Sequence, residues 1–200
     1  MSLAGTVLAA LVLMKGPAFV TDLRYNTPDN FLKKNVYAAL HIESCYVHPD
    51  LAQRLDRLVP LLAARKLKLV FWDCFRPLDV QKAMWKIVPD SRYVADPQKG
   101  SNHNRGIAVD VTIAKEDGTP LDMPTVFDDF TAKASPKYAC SASETAKCQN
   151  RELLIDLMNQ VGLKPLPTEW WHFQLPAKGY PILPALHEPK SSQNYRATQK

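Results

Sequence analysis

The stretch Ser101-Asn102-His103-Asn104-Arg105-Gly106-Ile107-Ala108-Val109-Asp110-Val111-Thr112-Ile113 decides how this chain is read. From Ile107 onward the side chains alternate with the period of a β-strand. Ile107, Val109, Val111 and Ile113 face one way, and Ala108, Asp110 and Thr112 the other. Asp110 therefore projects from the face opposite the valines. His103 lies seven residues upstream, roughly 23 Å away if the chain were extended at about 3.3 Å per residue, so the two reach one point only if the chain turns between them. Asn104-Arg105-Gly106 is where that turn is expected, because Gly106 accepts backbone angles that other residues avoid.

Some 60 residues further on, about the length of a small subdomain, stands Glu169-Trp170-Trp171-His172. Together the two segments offer two histidines, an aspartate and a glutamate. Three nitrogen or oxygen ligands with a fourth position open to water are the pattern of a catalytic zinc site, so His103, Asp110 and His172 are read as ligands of one Zn2+ ion. Glu169, three residues before His172, can stand beside the ion without ligating it and serve as a general base. Arg76, where an apolar run ends, is the candidate to stabilise an oxyanion. Plainer roles stand beside these. A single histidine or Asp110 can be a hydrogen-bonded structural residue, Trp170 and Trp171 can be core or rim aromatics, and Arg76 can simply pair with Asp73 or Asp79. His41, His48 and His187 lack such company and are read as non-ligands.

Leu51, Leu55, Leu58, Val59 and Leu62 predict a helix over about 49–65, kinked or divided at Pro60. Leu67 to Cys74 reads as a buried strand, followed by a helix around 79–88. A late helix, about 150–161, ends at Gly162, and Trp171 to Leu175 forms another strand. Tyr25 to Asn30 is dense in turn formers. Helices and strands mix without a regular βαβ rhythm. The expected class is therefore α+β: a single domain with a mainly antiparallel central sheet, flanking helices and the zinc site on the sheet.

With 200 residues, 46% apolar and 22% charged, the chain is sized and composed for one globular domain, here taken as residues 1–200 with a polar tail over 185–200. A net charge of +5 is dispersed among acids rather than gathered on one face, so no nucleic-acid partner is expected. Residues 1–19 begin with an apolar run, Leu3 to Met14, too short to span a bilayer. It reads either as the remnant of a signal peptide or as an ordinary buried N-terminal strand. The cysteines Cys45, Cys74, Cys140 and Cys148 have no zinc-ligand spacing. Cys140 and Cys148 are close enough for a local disulfide in an oxidising compartment, and two unpaired small hydrophobes is the other reading. The apolar start and this pair favour the periplasm over the cytoplasm.

Ser101-x-His103-x-x-Gly106-x-Ala108-x-Asp110 and Glu169-x-Trp171-His172 resemble the zinc signatures of the D-alanyl-D-alanine dipeptidases of the vancomycin-resistance type. That group also includes D-Ala-D-Ala carboxypeptidases, phage peptidoglycan endopeptidases and the hedgehog amino-terminal domain. Trp72-Asp73-x-x-Arg76-Pro77, Tyr25 with Asp29-Asn30-Phe31, Phe127-Asp128 and Gln149-Asn150-Arg151 resemble dipeptidase segments in the same order, so the similarity runs from about Val20 to Leu175. The resemblance implies zinc on His103, Asp110 and His172, Glu169 as catalytic base and Arg76 supporting the transition state. Ser101 is implied beside the substrate carboxylate, and Tyr25 and Asp128 beside its free amine. Asp129 adjoins Asp128 and is the other candidate for that amine. The expected activity is hydrolysis of D-Ala-D-Ala in peptidoglycan metabolism, with a small dipeptide as the partner. A peptidoglycan carboxypeptidase or endopeptidase is the nearest alternative, and a non-catalytic zinc-containing binding module is the other class.

Overall fold

Two apolar runs lie side by side at the centre of a five-stranded sheet. In the computed structural model, which describes residues 11–183, these are β4 (Leu67–Asp73) and β5 (Ala108–Lys115). Among the described residues β1 (Val12–Leu13) and β2 (Phe19–Thr21) come first, then β3 (Tyr46–Val47), and β6 (Lys164–Leu166) and β7 (Glu169–Gln174) come last. The main sheet runs β2-β4-β5-β7-β6; β2 pairs parallel with β4 and every other neighbour is antiparallel. The predicted α+β class with a mainly antiparallel sheet is therefore the one observed. The side chains of β5 are buried from Ala108 to Ala114, so this central strand has no solvent face.

The helices sit close to where periodicity places them. The stretch over 49–65 is divided, as Pro60 requires, into α1 (Pro49–Asp56) and α2 (Val59–Ala63). A third, α3, spans Leu78–Ile87, directly after Pro77. The long helix α4, Thr145–Gln160, begins about a turn earlier than expected, continuing from a 3-10 turn, Ala142–Glu144, that a capping box at Ser141 and Glu144 starts. It buries Leu154, Leu157 and Met158 in the core, and Gly162 at φ 80° ends it. Arg151 on this helix is buried and donates to the Tyr138 carbonyl at 2.8 Å, holding the preceding loop rather than a ligand.

The N-terminal run contributes β1, paired with β3, with Leu11 and Met14 buried. Residues 1–10 of that run, the tail over 185–200 and His187 lie outside the described residues. Both cysteine pairs are closed as disulfides: Cys140–Cys148, the pairing weighed from the sequence, and Cys45–Cys74, which no local spacing suggests. Among the described residues no helix is long and apolar enough to cross a membrane.

The turn between His103 and Asp110 is a 3-10 turn, His103–Arg105, closed by Gly106 at φ 69°. A Cβ at Gly106 would stand 2.9 Å from Leu11 Cδ2 and 3.1 Å from the His48 backbone nitrogen. Gly106→Ala should therefore lower stability by at least the 1–2 kcal/mol, roughly, of a left-handed L-residue. A urea titration of both proteins measures this, and equal midpoints would refute the strain.

Candidate metal centre and substrate pocket

Sheet register brings the site together. A bulge in β4 between Phe71 and Asp73 sets Asp73 opposite Asp110, and Asp110 in turn faces His172 on β7. Three polar residues thus form a row across three adjacent strands, and the 3-10 turn swings His103 over the row. All four are buried.

His103 Nδ1 stands 2.8 Å from the Cys74 carbonyl, which can only accept, so it carries the proton and leaves Nε2 with a lone pair. His172 Nε2 lies 2.8 Å from Gln174 Oε1, which also accepts from Asn102 Nδ2 at 2.7 Å. His172 therefore presents Nδ1 as its lone pair. These two lone pairs face each other at 3.2 Å, with Asp110 Oδ1 2.9 Å from His172 Nδ1 and 3.4 Å from His103 Nε2. Three acceptors converge within 4.8 Å of one another, an arrangement that needs a proton or a cation between them. Two imidazole nitrogens, each oriented by an outer partner, and one carboxylate oxygen are a donor set that fits a transition-metal ion. Burial works against charge on both Asp110 and His172, but it is outweighed, at Asp110 by His103 and then His172, and at His172 by Asp110 and then Glu169. The Asp110 carboxyl is held far below its ordinary range, and the His172 imidazolium is favoured.

The surrounding cavity, about 180 Å³, is lined by Tyr25, Arg76, Ser101, Asp128 and Glu169 together with the three candidate ligands. This is below the roughly 300–1,000 Å³ of drug-sized pockets and suits a small ligand. Glu169 Oε2 is 3.9 Å from His172 Nδ1; burial, reinforced by Asp110, raises its carboxyl above the usual range against the pull of His172. Arg76 is buried and donates to Asp73 through Nε at 3.0 Å and Nη2 at 2.5 Å, and to Gln81 through Nη1 at 3.0 Å. Burial disfavours its charge, but Asp73 more than compensates. Three of the five guanidinium N–H groups are thus used, leaving two for a ligand. The plainer sequence reading, a pair with Asp73, is the one seen, and Arg76 also lines the pocket, while Asp79 instead meets Lys82.

The Tyr25 hydroxyl donates to Asp128 at 3.0 and 3.2 Å, closing one side of the cavity. Burial and the charge of Asp110 push the Asp128 carboxyl well up, so it lacks a cationic partner sufficient to hold it ionised. Asp129 points elsewhere: its Oδ1 accepts from Thr131 N at 2.8 Å, and with Phe127 it lines a separate cavity of about 540 Å³. Ser101 Oγ accepts from His103 N at 3.2 Å, leaving its own proton to donate. Trp170 and Trp171 are core: Trp170 donates to Thr125 Oγ1 at 2.8 Å and Trp171 packs edge-on against Phe127, which positions the segment that ends in Asp128. His48 caps α1, accepting from Asp50 N, and His41 is exposed, so neither approaches the site.

The sequence reading assigned no part in the site to Asp73, Tyr37, Gln81 and Gln174. Asp73 and Tyr37 share a short hydrogen bond, and Asp73 ties Arg76 in place. Asp73 did stand in the Trp72-Asp73-x-x-Arg76-Pro77 segment and Gln174 two residues after His172. Tyr37 and Gln81 carried no local signal.

The family that this chain matches is one of metallopeptidases, and His103, Asp110 and His172 could hold its metal ion. The chain belongs to the D-ala-D-ala dipeptidase family, which matches residues 10–188. It is 36% identical over 168 residues, 84% of each chain, to a D-alanyl-D-alanine dipeptidase of Escherichia coli. To one of Enterococcus faecium it is 28% identical, across 80% of this chain and 87% of that one.

Proposed function

We propose that this chain is a zinc-dependent dipeptidase that hydrolyses D-Ala-D-Ala in peptidoglycan turnover. The carrying observation is the convergence of His103 Nε2, His172 Nδ1 and Asp110 Oδ1 beside Glu169 in a small pocket. Zinc suits two imidazoles and one carboxylate, and when bound it supplies Lewis acidity and makes water acidic near neutral pH.

The side chains divide the remaining work. Glu169 takes the proton from the attacking water and delivers it to the leaving amine, a task suited to a carboxyl raised by burial. Arg76 offers its two remaining N–H groups to the oxygen that gains charge as the carbonyl is attacked. Ser101 donates to the substrate carboxylate. Asp128, with Tyr25, takes the free ammonium, whose charge offsets the cost of burying the aspartate. Glu169 and Arg76 together argue against a purely binding role. The two disulfides support a periplasmic location, since such bonds persist in oxidising compartments.

Zinc-loaded protein should release D-alanine from D-Ala-D-Ala, lose that activity to a chelator and regain it with zinc. No release from zinc-loaded protein would sink the proposal, and faster release from an N-acylated stem peptide would favour the carboxypeptidase reading. Asp128→Asn should raise KM for the dipeptide by about 10- to 100-fold, the value of a hydrogen bond to a charged group. An unchanged KM would remove Asp128 from the ammonium site.

A further inference from the structure

We propose that the Cys45–Cys74 disulfide is a positioning element of the metal centre, holding the carbonyl that orients His103. The proposal rests on the reading of His103, Asp110 and His172 as metal ligands. A metal-binding histidine needs its second ring nitrogen anchored, because that hydrogen bond sets both the tautomer and the ring plane. For His172 the anchor is a side chain, Gln174. For His103 it is the main-chain carbonyl of Cys74 at 2.8 Å. A carbonyl has no rotamer of its own, so whatever fixes the Cys74–Phe75 peptide fixes His103.

That peptide lies just past the end of β4, after the bulge between Phe71 and Asp73, where the ladder to β5 has stopped. Of the contacts made beyond it, Arg76 N to His103 O at 3.1 Å and Asn104 Nδ2 to Arg76 O at 2.7 Å tie it to the His103 segment itself. They move with His103 and cannot hold it in place. Arg76 is held further on by Asp73 and Gln81, but Cys74 and Phe75 themselves have two ties that lead elsewhere: Phe75 N to Tyr46 O at 2.8 Å, and the disulfide to Cys45. Cys45 is itself fixed by Met14 N donating to its carbonyl at 2.9 Å, at the edge of the small β1–β3 sheet. Both sulfurs belong to buried residues. The disulfide thus joins segments 29 residues apart at the peptide that sets the His103 tautomer, and two residues before Arg76. Cys140–Cys148 spans only eight residues and lines no part of the pocket.

The test compares zinc affinity, by competition with a chromophoric chelator, in Cys45→Ala/Cys74→Ala and Cys140→Ala/Cys148→Ala. The first pair should bind zinc about 10- to 100-fold more weakly, the usual cost of losing an outer-shell partner. The second should bind as the wild type does. Equal affinity in the two pairs overturns the proposal. Cys45→Val/Cys74→Ala preserves more of the packed volume; if neither Cys45/Cys74 variant gives the wild-type circular dichroism spectrum, the disulfide serves the whole fold and the proposal also falls. Wild type that binds no zinc, or binds it equally well after His172→Ala, overturns the underlying metal reading instead.

Discussion

Glu169→Ala, which removes the proposed general base, is expected to lower kcat by about 10²- to 10⁴-fold while zinc-loaded protein keeps its metal. The geometry separates the two losses. Glu169 opens β7 and places Oε2 3.9 Å from His172 Nδ1, beyond bonding range of the convergent acceptors yet beside them. His103, Asp110 and His172 keep their mutual distances without it. His172→Ala removes one of the three converging atoms and should lose both metal and turnover. Zinc content measured beside kcat for the two variants distinguishes the roles. A fully active Glu169→Ala would show that the base is another group.

Asp73→Ala should destabilise the fold by about 3–5 kcal/mol, the cost of leaving one charge of a buried pair unpartnered. Asp73 has no exposed surface, and Arg76 is 7% exposed. Removing the carboxylate strands the guanidinium, which keeps only its bond to Gln81, and deprives the Tyr37 hydroxyl of its acceptor. Asp73 Oδ2 also lies 3.5 Å from His103 Nδ1, so the loss reaches the metal centre. Urea unfolding reads the stability and D-alanine release the activity. Asp73→Ala with wild-type stability would mean that water reaches Arg76 and replaces the pair.

Much of the architecture was legible because it is local. The alternation over Ile107 to Ile113 and the apolar run Leu67 to Cys74 gave the two central strands, and leucine spacing with Pro60 gave a divided helix. The early start of α4 was missed because the capped 3-10 turn that leads into it lies upstream of the apolar periodicity. In the site, the residues with distinctive chemistry at fixed spacing stood out: His103, Asp110, Glu169 and His172. Their supports did not. Tyr37 is 36 residues from Asp73 and Asn102 is 72 from Gln174, and nothing in a chain announces a hydrogen bond across such a distance. Cys45–Cys74 was hidden for the same reason, whereas Cys140 and Cys148 are only eight residues apart.

The sequence by itself picked out the side chains that gather in one pocket and the segments that form the two central strands and the main helices, since periodicity, turns and residue type act over a few neighbours. Only the tertiary structure decided that Asp128 rather than Asp129 faces the pocket, because a left-handed backbone at Asp128, φ 57°, redirects the chain there. It also decided the row Asp73, Asp110 and His172. That row depends on sheet register and on one bulge, which are set by how whole strands pack against each other.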